Sequence, residues 1–206
     1  MPHTTHRPET LAPSSPMPEA LCAASTAPEV VRVPARRVLA IDGAAAPGSR
    51  EFQAAIQAVY SVAYTLKFAL KREHRDFKVG ALEGRWWADP APDDPRAAAR
   101  STWRWQLRMA VPSSVHADEV AAAIRAASAK KPEAAQVRLI RVPAQTVGRI
   151  LHVGPYADEA RSLAAASEAV LSQGLAPAGP HIEVYLSDPR RVDPSRLRTI
   201  VMVETA

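Results

Sequence analysis

Apolar positions along this chain switch between two periods, and each switch marks an element. Val30-Val31-Arg32-Val33 and Arg37-Val38-Leu39-Ala40-Ile41 are β-branched runs that stop at Asp42-Gly43, which predicts a first strand. Behind Ser49, a good N-cap, Phe52, Ile56, Val59, Ala63, Leu66 and Leu70 recur at helical spacing and predict the longest helix, ending near Arg72. Short strands are expected at Phe77 to Glu83 and, past a polar Pro/Asp loop at 88–100, at Thr102 to Val111. A connecting helix follows over 116–130, with Val120, Ala123, Ile124 and Ala127 on one face. The order then repeats. A β-rich stretch from Val137 to Val153 is interrupted by Pro143, a helix runs from Ala157 to Gln173 and stops at Gly174, and strands are expected at His181 to Leu186 and Leu197 to Val203.

This order predicts an α+β fold made of a tandem strand-helix-strand-strand repeat, with halves over about 29–112 and 136–206. Both first strands stop at a glycine with proline close behind (Gly43 and Pro47, Gly154 and Pro155), and each later strand carries a glutamate after an aliphatic residue (Leu82-Glu83, Ile182-Glu183). If the halves are related by a pseudo-twofold, Glu83 and Glu183 would be equivalent and could face one ligand cleft between them. Residues 1–28 carry six prolines among Thr, Ser and Ala with almost no large apolar side chain, so a flexible tail is expected there.

Composition narrows the classes. With 206 residues, 47% of them apolar, the chain can bury a core. No run of about 18 apolar residues exists and no secretory signal is evident, so a cytoplasmic location is expected. The net charge of +5 is spread along the chain without a basic block or helix-turn-helix pattern, and direct nucleic-acid binding is not expected. The single cysteine, Cys22, cannot form an internal disulfide, and no histidine pair has zinc-site spacing. No cofactor or metal is expected. Nucleophile-elbow, phosphate-loop and dinucleotide fingerprints are missing from the sequence.

The chemistry concentrates in Glu83-Gly84-Arg85-Trp86-Trp87 and in the stretch from His181 to Arg191. Each sets a carboxylate among aromatic rings, a mixture suited to a flat, electron-poor or cationic organic molecule. These runs, with IDG (Ile41 to Gly43), EFQAAIQAVYSVAYTLKF (Glu51 to Phe68), WRWQLRMAVP (Trp103 to Pro112), LHVGPYADE (Leu151 to Glu159) and IEVYLSDPRR (Ile182 to Arg191), resemble the stand-alone form of the GyrI-like small-molecule-binding family over roughly Val30 to Thr205. The resemblance implies two halves enclosing an aromatic pocket with a functional glutamate, the position held here by Glu183. Some stand-alone members of that family hydrolyse the cyclopropane ring of DNA-alkylating natural products, others sense drugs when joined to a DNA-binding segment, and others act on DNA gyrase. The proline-rich start is not expected to form DNA-binding helices, which argues against the sensing-regulator role. Two departures stand out: Arg85 replaces an apolar residue usual between EG and WW, and Ile182 replaces a histidine often found before the glutamate, although His181 stands one place earlier.

Alternation puts His181, Glu183 and Tyr185 on one strand face and Ile182, Val184 and Leu186 on the other. Glu183 is the expected catalytic base and Tyr64 the expected hydroxyl donor to an oxygen that gains charge. Tyr60, Lys67, Glu83, Trp86, Trp87, Trp105, His181 and Tyr185 are the expected ligand contacts. Adjacent Trp86 and Trp87 would point to opposite sides of a strand, and Trp103 and Trp105 share a face with Leu107 and Met109, which favours the core for both. Three functions follow in order: opening of a strained cyclopropane by water, non-catalytic sequestering or sensing of aromatic or cationic compounds, and protein contact with gyrase. The sequence leaves monomer and homodimer open.

Overall fold

The computed structural model describes residues 15–89 and 102–206, so the polar loop expected over 88–100 falls outside the described residues from position 90 onward. Among the described residues there are eight strands: β1 (Glu29–Val33), β2 (Arg36–Gly43), β3 (Leu82–Ala88), β4 (Trp103–Val111), β5 (Arg138–Val142), β6 (Gln145–Val153), β7 (Pro177–Tyr185) and β8 (Arg198–Thr205). Three α-helices join them: α1 (Arg50–Arg72), α2 (Ala117–Ser128) and α3 (Glu159–Ser172). The strands form one antiparallel sheet in the order β1-β6-β8-β7-β3-β4-β2-β5, the α+β arrangement expected from the sequence.

The order is symmetric about the junction of β3 with β7. Each half nevertheless lends its first strand to the other: β1 closes the edge beside β6, and β5 closes the edge beside β2. The single first strand expected from 30–41 is therefore two strands, split at Pro34-Ala35 and sent to opposite sides of the sheet. A second shift concerns β3, which begins at Leu82 rather than Phe77. The backbone near Phe77 is taken up by α1 instead of a neighbouring strand, because the Lys67 ammonium donates to the Phe77 carbonyl and pairs with Asp76. The Phe77 ring is buried beneath α1.

Both long helices pack on the same face of the sheet. Ser49 caps α1, its hydroxyl accepting from the Phe52 amide at 3.1 Å. The apolar stripe of α1 buries Phe52, Val59, Ala63, Leu66 and Leu70 against Leu39, Ile41, Leu107 and Met109 of β2 and β4. Helix α3 sits over β6, β8 and β1, where Ala166 meets Ile150, Val201 and Val203. Gly148 permits that approach, since a Cβ there would lie 2.4 Å from the Ala166 carbonyl oxygen. The central strands β3 and β7 run between the two helices.

The opposite face is not left bare. Val147, Ile182, Val184, Ile200 and Met202 project there, and Met17, just before a short 3-10 turn (Glu19–Leu21), and Leu21, within it, bury themselves against them. The tail expected over 1–28 thus contains side chains that pack, Met17 and Leu21 fully and Ala24 in part; its part over 1–14 lies outside the described residues. Among the described residues no helix is long and apolar enough to cross a membrane.

Candidate functional site

In an antiparallel ladder, paired residues share a face. β3 and β7 pair Leu82 with Tyr185, Gly84 with Glu183 and Trp86 with His181, so these six side-chain positions form the floor between α1 and α3. The predicted face of His181, Glu183 and Tyr185 is the one that looks into this strip. Glu183 is fixed at both oxygens: the Tyr185 hydroxyl donates to Oε2 at 2.7 Å, and His181 Nε2 lies 3.1 Å from Oε1. The Tyr185 hydroxyl in turn accepts from the Trp86 indole N–H at 3.0 Å. Residue 84 must be glycine for this chain of bonds to exist, because a Cβ there would stand 2.7 Å from Trp86 Nε1 and 2.8 Å from the Tyr185 hydroxyl.

Aromatic rings surround this carboxylate. Trp103 meets Trp86 edge-on at 5.9 Å and His181 at 6.2 Å, and Phe52 of α1 backs Trp86 at 5.2 Å. From the other side, Tyr156 meets Tyr185 edge-on at 5.9 Å. The segment carrying Tyr156 is held by His152, whose ring nitrogens lie 3.0 Å from the Ser162 hydroxyl and 3.1 Å from the Pro155 carbonyl. That bracket sets the 3-10 turn Tyr156–Asp158 and the start of α3 over the floor.

A second carboxyl arrives with that turn. Glu159, the first residue of α3, is buried, and its polar neighbours are Glu183 and Thr199 of β8. Burial first, and the negative charge of Glu183 second, push its carboxyl from an ordinary 4.5 up to about 9, so it carries a proton at neutral pH. Its Oε1 and the Thr199 hydroxyl are both buried, and the Thr199 hydroxyl lies near enough to the carboxyl to lower its pKa against the larger effect of burial. Burial and the same acidic neighbours push Tyr156 up to about 12, and Tyr185 is also raised, by burial and then by Glu183. Among the described residues, the charges acting on the two tyrosines are Glu159 and Glu183 for both and Asp188 for Tyr156, and Asp188 is itself paired with Arg190 at 2.9 Å. Among the described residues, the strip therefore combines aromatic rings with carboxyl groups in a chain whose net charge is +5. Among the described residues no cluster of three or more His, Cys, Asp or Glu side chains could hold a metal ion.

The model of the GyrI-like small molecule binding domain matches residues 26–204. The chain belongs to the GyrI-like family. Its fold is shared by a conserved protein from Listeria innocua at 30% identity and TM-score 0.80, and by a hydrolase from the same organism at 29% identity and TM-score 0.77; each comparison covers 89% of this chain and 94% of the other. The EcmrR C-terminal domain shares the fold at 11% identity and TM-score 0.56, covering 87% of this chain and 96% of that one. No curated protein sequence matches.

Within this GyrI-like domain the expected site residues separate into groups. Glu183, His181, Tyr185 and Trp86 come together on the floor, with Trp86 buried beneath it. Tyr60 of α1 is half-buried near the strip's end, where Asp188 and Arg190 act on it. Glu83 does not face Glu183. The register pairs it with Val184, and it leaves the opposite face of the sheet, where it is fully buried and ion-paired with Arg36. Trp87 shares that face, 5.8 Å from the Arg85 guanidinium, and Arg85 is paired with Glu204 rather than turned to the ligand side. Matching sequence offsets suggested that Glu83 and Glu183 were equivalent, but the pairing places Gly84 opposite Glu183.

Tyr64 also lies elsewhere. It stacks between Tyr60 at 6.3 Å and Phe68 at 6.2 Å, is 44% exposed, and lines a groove of about 450 Å³ between α1 and α2. Lys67 is committed to Asp76 and the Phe77 carbonyl. Trp105 is buried against Phe52, its N–H donating to the Ala45 carbonyl at 3.2 Å, and the tryptophan that borders the site is Trp103. Sequence reasoning passed over Tyr156, Glu159 and Thr199. The LHVGPYADE run that carries the first two was a visible signal, but Glu159 there looks like an ordinary acid at a helix start.

Proposed function

We propose that this GyrI-like domain binds flat aromatic molecules between α1 and α3 and opens a strained, electrophilic cyclopropane by adding water, in detoxification of or self-resistance to DNA-alkylating natural products. The observation that supports this reading is Glu183: a carboxylate held at one oxygen by Tyr185 and at the other by His181, 14% exposed, and ringed by Trp103, Trp86 and Tyr156. Such a group is positioned to orient a water and take its proton. In a spirocyclopropyl cyclohexadienone, the water oxygen bonds to the ring methylene as the strained C–C bond breaks. The bonding pair enters the dienone to give a phenolate, which takes up a proton, so the net change is one added water. The hydroxyl of Tyr156, a residue that is 39% exposed and packs edge-on against Tyr185, is the donor we assign to the oxygen that gains charge. The 29%-identical Listeria innocua protein described as a hydrolase supports an enzymatic reading at the level of hydrolysis.

The test is incubation of the purified protein with a spirocyclopropyl cyclohexadienone, followed by mass spectrometry. Appearance of a product heavier by one water, with turnover reduced about 100-fold or more in Glu183→Gln, is the expected result. A second reading, sequestration of aromatic cations without chemistry, is favoured by the acidic surroundings of the strip. Retention of unaltered dienone by a well-folded wild-type protein would decide for it.

A further inference from the structure

We infer that His181 is the catalytic base of the ring opening, taking the proton of the attacking water at Nδ1 while Glu183 holds the imidazole at Nε2. This rests on the ring-opening reading and refines one step of it: the proton drawn from the water comes to rest on the imidazole that Glu183 orients, and not on the carboxylate itself.

The direction of every hydrogen bond in this cluster follows from one fixed donor. An indole N–H can only donate, so the 3.0 Å contact between Trp86 Nε1 and the Tyr185 hydroxyl makes that oxygen an acceptor. The hydroxyl's own proton then has one partner among the described residues, Oε2 of Glu183 at 2.7 Å. Glu183 is thereby committed as an acceptor at Oε2. Its Oε1 lies 3.1 Å from His181 Nε2, and a carboxylate oxygen only accepts, so the proton of the neutral imidazole sits on Nε2. The lone pair is left on Nδ1, which has no partner among the described residues, on a side chain that is 22% exposed and so within reach of water. Both oxygens of Glu183 are engaged, whereas this nitrogen is open. A carboxylate that holds one ring nitrogen fixes the tautomer and steadies the imidazolium that forms when the other takes a proton. The spacing of two along β7 makes the pair possible: residues 181 and 183 look into the strip, while Ile182 between them packs in the opposite core. Trp103, perpendicular to the imidazole at 6.2 Å, and Trp86, its cross-strand partner, brace the ring. As the water oxygen bonds to the ring methylene, its proton passes to Nδ1 and the electron pair of the strained C–C bond enters the dienone. Imidazolium and phenolate result, and transfer of the proton from Nδ1 through solvent to the phenolate oxygen restores the neutral ring with one water added.

His181→Gln tells the two bases apart, because a glutamine N–H can still donate to Glu183 but the amide has no basic nitrogen. With the spirocyclopropyl cyclohexadienone as substrate, kcat is expected to fall about 100-fold or more while KM stays within about threefold of wild type. In His181→Ala, added imidazole restores turnover, and across a series of substituted imidazoles the restored rate rises with the basicity of the added compound, a dependence that a purely structural role for the ring does not produce. Nitrogen-15 spectra of the ligand-free wild type, recorded above about pH 8 where imidazoles are neutral, read the same ring without a variant: the proton of His181 is found on Nε2 and Nδ1 is bare. Retention of kcat in His181→Gln, rescue that is absent or indifferent to basicity, or a His181 proton found on Nδ1 overturns the inference and leaves the ring-opening reading standing with Glu183 as the base. A well-folded wild type that leaves the dienone unaltered overturns the ring-opening reading, and this inference with it.

Discussion

At the scale of single residues, Glu159 exchanges stability for a poised charge. Its carboxyl is neutral in the fold up to about 9 but ionised in the unfolded chain above about 4.5. Between those values the folded state binds more protons than the unfolded one, so this group's contribution falls as pH rises through the window. Glu159→Gln removes that loss. The variant is expected to match wild type near pH 4.5 and to exceed it at about pH 8 by roughly 1–3 kcal/mol, or about 3–8 °C in Tm, by thermal denaturation across pH. Glu83 presents the opposite case. It is fully buried and paired with Arg36, so Glu83→Ala strands a buried guanidinium and is expected to cost about 3–5 kcal/mol by urea unfolding, whereas Arg36→Met with Glu83→Leu recovers most of the loss. The contrast explains why the sequence misled at one glutamate and was silent at another. Local alternation gives which residues of a strand share a face, and it placed His181, Glu183 and Tyr185 together. It cannot give which residue of a distant strand lies opposite, and that register turned Glu83 away.

At the scale of elements, the decisive piece is the turn between β6 and α3. His152 is buried and bonds at both ring nitrogens, to Pro155 on one side of the turn and Ser162 on the first turns of the helix. It thereby carries Tyr156 and Glu159 to their places without touching ligand space itself. His152→Ala is expected to lower dienone or ethidium affinity by roughly tenfold while costing about 1–3 kcal/mol of stability. His152→Asn, which keeps one of the two bonds, should fall between wild type and Ala in both measurements. The helices themselves were legible from their periodicity, and α1 begins where Ser49 indicated. The start of β3 was not, because Phe77 has a strand-like sequence but sits in a backbone segment claimed by Lys67 and Asp76 of the α1 region. A hydrophobic run shows that residues will be buried; the partner that buries them is fixed by chain segments far away in sequence.

At the scale of the whole molecule, the sheet is a single object built from two chain halves that cannot be completed separately. Its centre is the β3–β7 junction carrying the candidate site, and its edges are β1 and β5, each supplied by the other half. A segment ending at Ser113 lacks the strand that covers β2, and the remainder from Ser114 lacks the strand that covers β6. Either piece made alone exposes bare strand edges and is expected to precipitate or self-associate. Made together as two polypeptides they are expected to reassemble, with co-purification and recovery of ligand binding as the measure. Each half thus holds a border that only the other can cover, and the candidate floor at the β3–β7 junction takes one strand from each half, so neither half alone contains it.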